Sequence, residues 1–289
     1  MLLSALLIAA AVLTAAALAP SRALNLMAGV LGGFDSRTDV AYGGLSRQRL
    51  DIYMPRGHAP SGGWPMVVFF YGGSWNNGAR SDYTFVGAAL ASHGVLTLVA
   101  DYRLYPEVRY PAFLGDCAQA LAYGLKEASA LGADPKRVFV MGHSAGAYNA
   151  AMLALDPRWL APTGHAPAEL AGWIGLAGPY DFLPSTNPDM QPVFFHPNYP
   201  SGAQPIEHVS AASGPRAFIA APTKDTVVNP IRSSQGLATR LDAAGVPVTL
   251  KLYERASHRT VIASLSAPLR WIVPVHEDVL AFIRGGRSD

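Results

Sequence analysis

Three short, almost unbroken apolar runs constrain the fold of this chain more than any other feature. Pro65-Met-Val-Val-Phe-Phe-Tyr71, Gly94-Val-Leu-Thr-Leu-Val-Ala100 and Arg137-Val-Phe-Val-Met141 lack polar/apolar alternation. A strand covered on both faces reads this way. Helix-like stretches lie between them near residues 83–93 and 114–131. Further strands are expected at 170–176, 217–221 and 246–253, with helices near 231–244 and 275–284. Residues 39–42 and 48–53 read as two earlier strands joined through Gly43-Gly44, a hairpin signal. Strands alternating with helices predict an α/β architecture, a mostly parallel central sheet flanked by helices on both faces. With 289 residues, the chain is near the upper size for one core. Residues 177–215, rich in Pro, Asn, Ser and Phe, break the rhythm and read as an inserted cap or loop over the site. Phe182, Phe194, Phe195 and Tyr199 within it fit an apolar pocket wall and core filling equally well.

The amino terminus is of another kind. Residues 2–19 are uncharged and apolar apart from Ser4 and Thr14. As a helix this run would extend about 27 Å, close to the thickness of a bilayer's hydrocarbon layer. Its length and the following Arg22 favour an uncleaved membrane anchor. The terminal position and Ala17-Leu18-Ala19 fit a cleaved export signal, whereas the lack of Lys or Arg before the run and the presence of Pro20 after it speak against one. The expected organisation is a hydrophobic anchor or signal segment at 1–22, a Gly-rich linker at 23–37 and a catalytic domain at 38–289. The protein is expected to be membrane-anchored through this N-terminal hydrophobic helix, or exported if the segment is removed.

Charge and cysteine content narrow the function classes. A net charge of +2 with only 15% charged residues is far from the basic excess that tracks phosphates, so no nucleic-acid partner is expected. Cys117 is the single cysteine. It allows no internal disulfide, suggests no zinc set and reads as a buried thiol on a helix.

The chemistry concentrates in Gly142-His143-Ser144-Ala145-Gly146, which fits G-x-S-x-G between an expected strand and an expected helix. A turn this sharp exposes the Ser144 hydroxyl and leaves no room for side chains two residues away. A serine hydroxyl needs a base to take its proton, and the base needs an orienting acid. His258 follows an expected strand and lies in a loop; His165, His196 and His208 precede the late strands, His276 sits in a terminal helix, and His143 points away within the turn. Asp225, just past the strand at 217–221, is favoured as the acid over Asp181, which follows the preceding strand. Tyr71-Gly72-Gly73-Ser74-Trp75 leaves the third strand, and its glycines let backbone N–H groups approach a developing oxyanion together with that of Ala145.

Together, Gly142 to Gly146, Tyr71 to Trp75, Asp101-Tyr-Arg-Leu104, Asp225 and His258 resemble the α/β-hydrolase esterases related to hormone-sensitive lipase and the BD-FAE (feruloyl-esterase-like) family. The segment Gly132-Ala-Asp134-Pro135-Lys-Arg137 and the neighbourhood of Asp116 are similar to that family as well. The resemblance covers about residues 38–284 and implies the α/β-hydrolase fold. It implies a carboxylesterase-type serine hydrolase with catalytic Ser144, Asp225 and His258, and Gly73, Ser74 and Ala145 as oxyanion-hole donors. The partner would be a small-molecule ester, with no metal or organic cofactor. Tyr71 stands where that family usually has His. Two other functions stay open: an amide hydrolase of the aryl-formamidase kind, and a catalytically silent, membrane-tethered binding protein on a hydrolase scaffold.

Overall fold

The computed structural model describes residues 20–210 and 214–285. The apolar run at 2–19, with the anchor or signal reading it carries, lies outside them. Among the described residues no helix is long and apolar enough to cross a membrane.

Helix α1 (Pro20–Leu31) leads into strands β1 (Phe34–Ala41), β2 (Arg49–Pro55) and β3 (Trp64–Phe70). Helix α2 (Thr84–Ala91), β4 (Leu96–Ala100), α3 (Ala112–Glu127), β5 (Ala133–His143) and α4 (Ala145–Leu155) follow. The last part holds β6 (Gly172–Leu176), β7 (Ala217–Pro222), α5 (Gly236–Ala243), β8 (Val248–Tyr253), the short α6 (Thr260–Ala263) and α7 (Val275–Arg284). The strands form one sheet in the order β1-β2-β4-β3-β5-β6-β7-β8. From β4 to β8 all neighbours are parallel; β2 is antiparallel to β1 and β4. The central strands are covered on both faces, and Met66 to Phe70 and Val138 to Met141 are buried throughout. This double cover explains their continuous apolar sequence.

The stretch expected as a linker, 23–37, holds regular structure. Residues 20–31 form α1, and β1 begins at Phe34 rather than at 39. Ala23 is buried in the core, and Leu24 and Ala28 pack against it, while Arg22 and Leu26 are exposed. The helix is therefore amphipathic, too short and too glycine-flanked to stand out beside the apolar run before it. Gly32 and Gly33, at φ 64° and 88°, end it, since glycine adopts the left-handed conformation without a steric penalty. Most of β1 is exposed at the sheet edge, so no apolar period marks residues 34–38. The hairpin closes where expected, with Tyr42 N–H donating to Gln48 O at 3.1 Å.

In the 177–215 stretch, Phe194 is fully buried and meets the Trp75 ring at 4.9 Å and Phe182 at 5.2 Å. Phe195 is exposed beneath the guanidinium of Arg109. Tyr199 takes the Ser185 N–H. The buried aromatics extend the core over α4.

Candidate active site

The end of β5 and the start of α4 meet at Ser144, which has φ 52° and ψ −122°. A non-glycine residue in such a conformation costs about 1–3 kcal/mol and persists only where its surroundings leave no alternative. A methyl group on Gly142 would lie 2.1 Å from Gly146 O, and one on Gly146 would lie 2.0 Å from Phe70 O. Both obstacles are backbone atoms, so only glycine fits at either place. The turn is also anchored sideways, with Ser144 N–H donating to Leu176 O of β6 at 2.9 Å.

His258 and Asp225 arrive from the loops after β8 and β7. His258 Nε2 lies 2.9 Å from Ser144 Oγ, and its Nδ1 lies 2.7 Å from Asp225 Oδ2. A carboxylate only accepts, so Nδ1 donates to Asp225 and Nε2 is the nitrogen that faces the hydroxyl. The other Asp225 oxygen takes the N–H groups of Val227 and Val228 at 2.8 and 3.1 Å. Burial pushes the Asp225 carboxyl upward, but the hydrogen bond and charge of His258 and these two N–H groups outweigh it and hold the pKa below the ordinary carboxylate value. Asp181 is elsewhere, paired with Arg232 at 2.6 Å. The other histidines have other partners: His165 meets Glu169, His196 meets Tyr199, His208 meets Gly202 O and His276 meets Ala89 O.

His143 holds a position that its sequence context did not disclose. Its ring is buried, and Nε2 donates to the backbone carbonyl of His258 at 2.9 Å. Burial, reinforced by the neighbouring His258, lowers its pKa to about 3, so the ring is neutral at ordinary pH. It thereby supports the loop that carries His258 without placing a second positive charge beside it. Only its place within the Gly-rich turn could have drawn attention to it.

The loop after β3 forms the other side of the site. Gly73, Ser74 and Trp75 follow one another at φ 132°, 51° and 58°. Successive main-chain N–H groups in such a turn form a concave donor array. A methyl on Gly72 would sit 2.9 Å from Ser144 Cβ, so the loop packs closely against the serine, and one on Gly73 would strike Asn77 O of the same loop at 2.1 Å. Ala145, first residue of α4, has an N–H with no acceptor inside its helix. Trp75 Nε1 donates to Asn149 Oδ1 at 3.0 Å and ties the loop to α4.

Tyr71 braces this loop in place of the usual His. Its hydroxyl accepts from Arg47 Nη2 at 2.6 Å and donates to Asp101 Oδ1 at 2.8 Å. Burial first, then the Asp101 charge, raises the phenol pKa far above its ordinary value, which keeps the donating proton in place. Arg47 also donates to Gly78 O at 2.9 Å, and Arg80 pairs with Asp101. Both ends of the 72–78 loop are therefore tied to one buried cluster. The Tyr71 ring stacks on Tyr102 and Tyr83 with centroids 4.8 and 5.7 Å apart.

Ser144 and His258 open on a cleft of about 530 Å³. Leu24, Phe85, Val227 and Ile262 supply apolar wall, and Asp82 and Arg259 bring charge to it. Helix α1 thus contributes to the cleft, and among the described residues of 177–215 none lines it.

A mostly parallel eight-stranded sheet, with a serine at a strained strand-to-helix turn and an acid and a histidine on later loops, defines the α/β-hydrolase fold. Solved structures agree. A truncated carbohydrate esterase from gut microbiota superposes with a TM-score of 0.71 at 19% identity, covering 89% of this chain and 98% of that one. Butyrate-bound esterase 2 of Thermogutta terrifontis does so with a TM-score of 0.69 at 20% identity, covering 89% and 96%. The BD-FAE family profile matches residues 50–241, and the chain belongs to that family. Probable isoprenylcysteine alpha-carbonyl methylesterase ICME of Oryza sativa subsp. japonica is 27% identical over 270 residues, 86% of this chain and 64% of the relative. Esterase LipC of Mycobacterium tuberculosis is 28% identical over 226 residues, 72% of this chain and 55% of the relative. The chain spans less than two thirds of the length of either relative.

Proposed function

We propose that the protein is a serine carboxylesterase that works through an acyl-enzyme. The observation that carries this reading is the unbroken hydrogen-bonded series from Ser144 Oγ through His258 to Asp225, opening on a cleft beside the Gly73–Ser74 backbone. His258 Nε2 takes the hydroxyl proton as Ser144 Oγ attacks the ester carbonyl carbon. The carbonyl oxygen becomes an oxyanion and meets the N–H groups of Gly73, Ser74 and Ala145, each such donor contributing about 3–4 kcal/mol to the transition state. Asp225 stabilises the imidazolium. That imidazolium protonates the departing alkoxide, leaving Ser144 acylated. Water then attacks the acyl carbon, giving its proton to the same Nε2, and the acid leaves as Ser144 recovers its hydrogen.

The names of the relatives, two of them an isoprenylcysteine methylesterase and an esterase, support an ester rather than an amide as the substrate bond. The uncharged run at 2–19 supports a second part of the reading: the chain is tethered to a membrane by its amino terminus. Substituting the nucleophile tests the chemistry. Ser144→Ala is expected to abolish both labelling by a fluorophosphonate probe and hydrolysis of p-nitrophenyl butyrate. Labelling that persists unchanged in this variant would refute the assignment.

A further inference from the structure

We infer that the catalytic cleft is loaded from a lipid bilayer, and that its substrate is an ester carried on an apolar chain dissolved in the membrane. This rests on the tether and esterase readings above and goes beyond both.

The first observation is where the apolar run stops. Residues 2–19 lead directly into α1 at Pro20, and Ser21 and Leu24 of that helix line the cleft holding Ser144 and His258. Leu24 is five residues past the end of the run, about 7.5 Å of helical rise. A tether of this kind places the cleft wall within the headgroup layer.

The second observation is that α1 is fixed to the catalytic body. The Asn25 side chain donates to Ser81 O at 2.7 Å and accepts the Phe85 N–H at 3.0 Å, and Ala23 is buried. Ser81 and Phe85 bracket Asp82 and Tyr83, which line the cleft. Orienting α1 therefore orients the cleft.

The third observation is the surface around this helix. Leu26 on α1 is 49% exposed, Val227 on the cleft 57% and Trp271 73%. Trp271 follows Arg270, which lines a small cavity together with Leu24 and Ala28 of α1. Exposed Arg22 lies on α1 and exposed Arg259 lines the cleft, where Asp82 is the acidic residue. Exposed tryptophan and leucine with arginines make a surface for the interface of an anionic bilayer. Inside, Leu24, Phe85, Ile262 and Ala263 continue the apolar path toward Ser144. An acyl or prenyl chain moving from the bilayer along α1 would stay in apolar contact while its ester reached the hydroxyl.

The full chain is mixed with phosphatidylcholine vesicles containing phosphatidylglycerol and assayed on two fluorogenic esters: water-soluble umbelliferyl acetate, and umbelliferyl oleate dissolved in the vesicles. Two full-length variants are compared, Leu7→Asp/Val12→Asp in the apolar run and Leu26→Ser/Trp271→Ala on the surface. Both are expected to keep acetate turnover and to lose about tenfold in oleate turnover, as apolar anchoring at the interface is removed. The wild-type chain floats with the vesicles, and the first variant does not. A wild-type chain that fails to float overturns the tether and this inference with it. Flotation with equal oleate turnover in wild type and both variants overturns the inference alone. Absence of turnover on both esters overturns the esterase reading on which it rests.

Discussion

Replacing Tyr71 by phenylalanine removes a single oxygen atom and leaves the stacks on Tyr102 and Tyr83 in place. The lost hydroxyl accepts from Arg47 and donates to Asp101, and hydrogen bonds to charged groups contribute about 1.5–3 kcal/mol each. Both partners keep other contacts: Arg47 still reaches Gly78 O and Tyr102 O, and Asp101 still takes the Arg80 N–H. The net cost to stability should therefore be about 2 kcal/mol rather than the sum. The kinetic cost has a different origin. Gly73, Ser74 and Trp75 hold left-handed backbone angles that the clamp at both ends of the loop enforces. Loosening it should weaken the oxyanion donors, whose complete loss costs 100-fold or more, and lower kcat by roughly 10- to 100-fold. KM should change by no more than about twofold, because the ground-state ester does not need these donors. Steady-state kinetics on p-nitrophenyl butyrate separates kcat from KM, and affinity for a trifluoromethyl ketone transition-state analogue should fall in step with kcat. A Tyr71→Phe enzyme with kcat within twofold of wild type, or with only KM altered, would refute the role of the phenol in holding the loop.

Gly146→Ala should prevent the native turn, since its methyl would meet Phe70 O at 2.0 Å, whereas Gly115→Ala in α3, with nothing within 4 Å, should stabilise the chain by about 0.5–1 kcal/mol. Thermal unfolding followed by circular dichroism reads both, and a folded, probe-reactive Gly146→Ala protein would show that the turn is less crowded than described. Acid should destabilise the fold partly through His143. Its folded pKa of about 3 lies below the ordinary histidine value of 6.5, so below pH 6.5 the unfolded chain binds the proton that the folded chain refuses, and stability falls as pH drops toward 3. The loss should reach about 2 kcal/mol near pH 5. His143→Gln, which retains a donor for the His258 carbonyl, should show a shallower decline of the urea midpoint between pH 7 and 5. Parallel curves for the two proteins would remove His143 from the account.

Much of the site was legible in the sequence because its signals are local. The continuous apolar strands, the paired glycines around Ser144 and the glycines after Tyr71 each report a backbone condition that neighbouring residues alone impose. The positions of Asp225 and His258 just past late strands pointed to them as candidates, since strand ends on one edge of a parallel sheet converge, and the structure sets them 2.7 Å apart. The tertiary structure alone decided what joins distant segments. Arg47, Tyr71 and Asp101 form one hydrogen-bonded knot although they are spread over three parts of the chain. His143 supports a carbonyl from residue 258, across the sheet edge. Helix α1, expected as linker, became a wall of the cleft because Asn25 caps a segment that lies 56 residues away. Periodicity and turn chemistry are written in adjacent residues, whereas the choice of which surface covers which depends on the packing of the whole sheet.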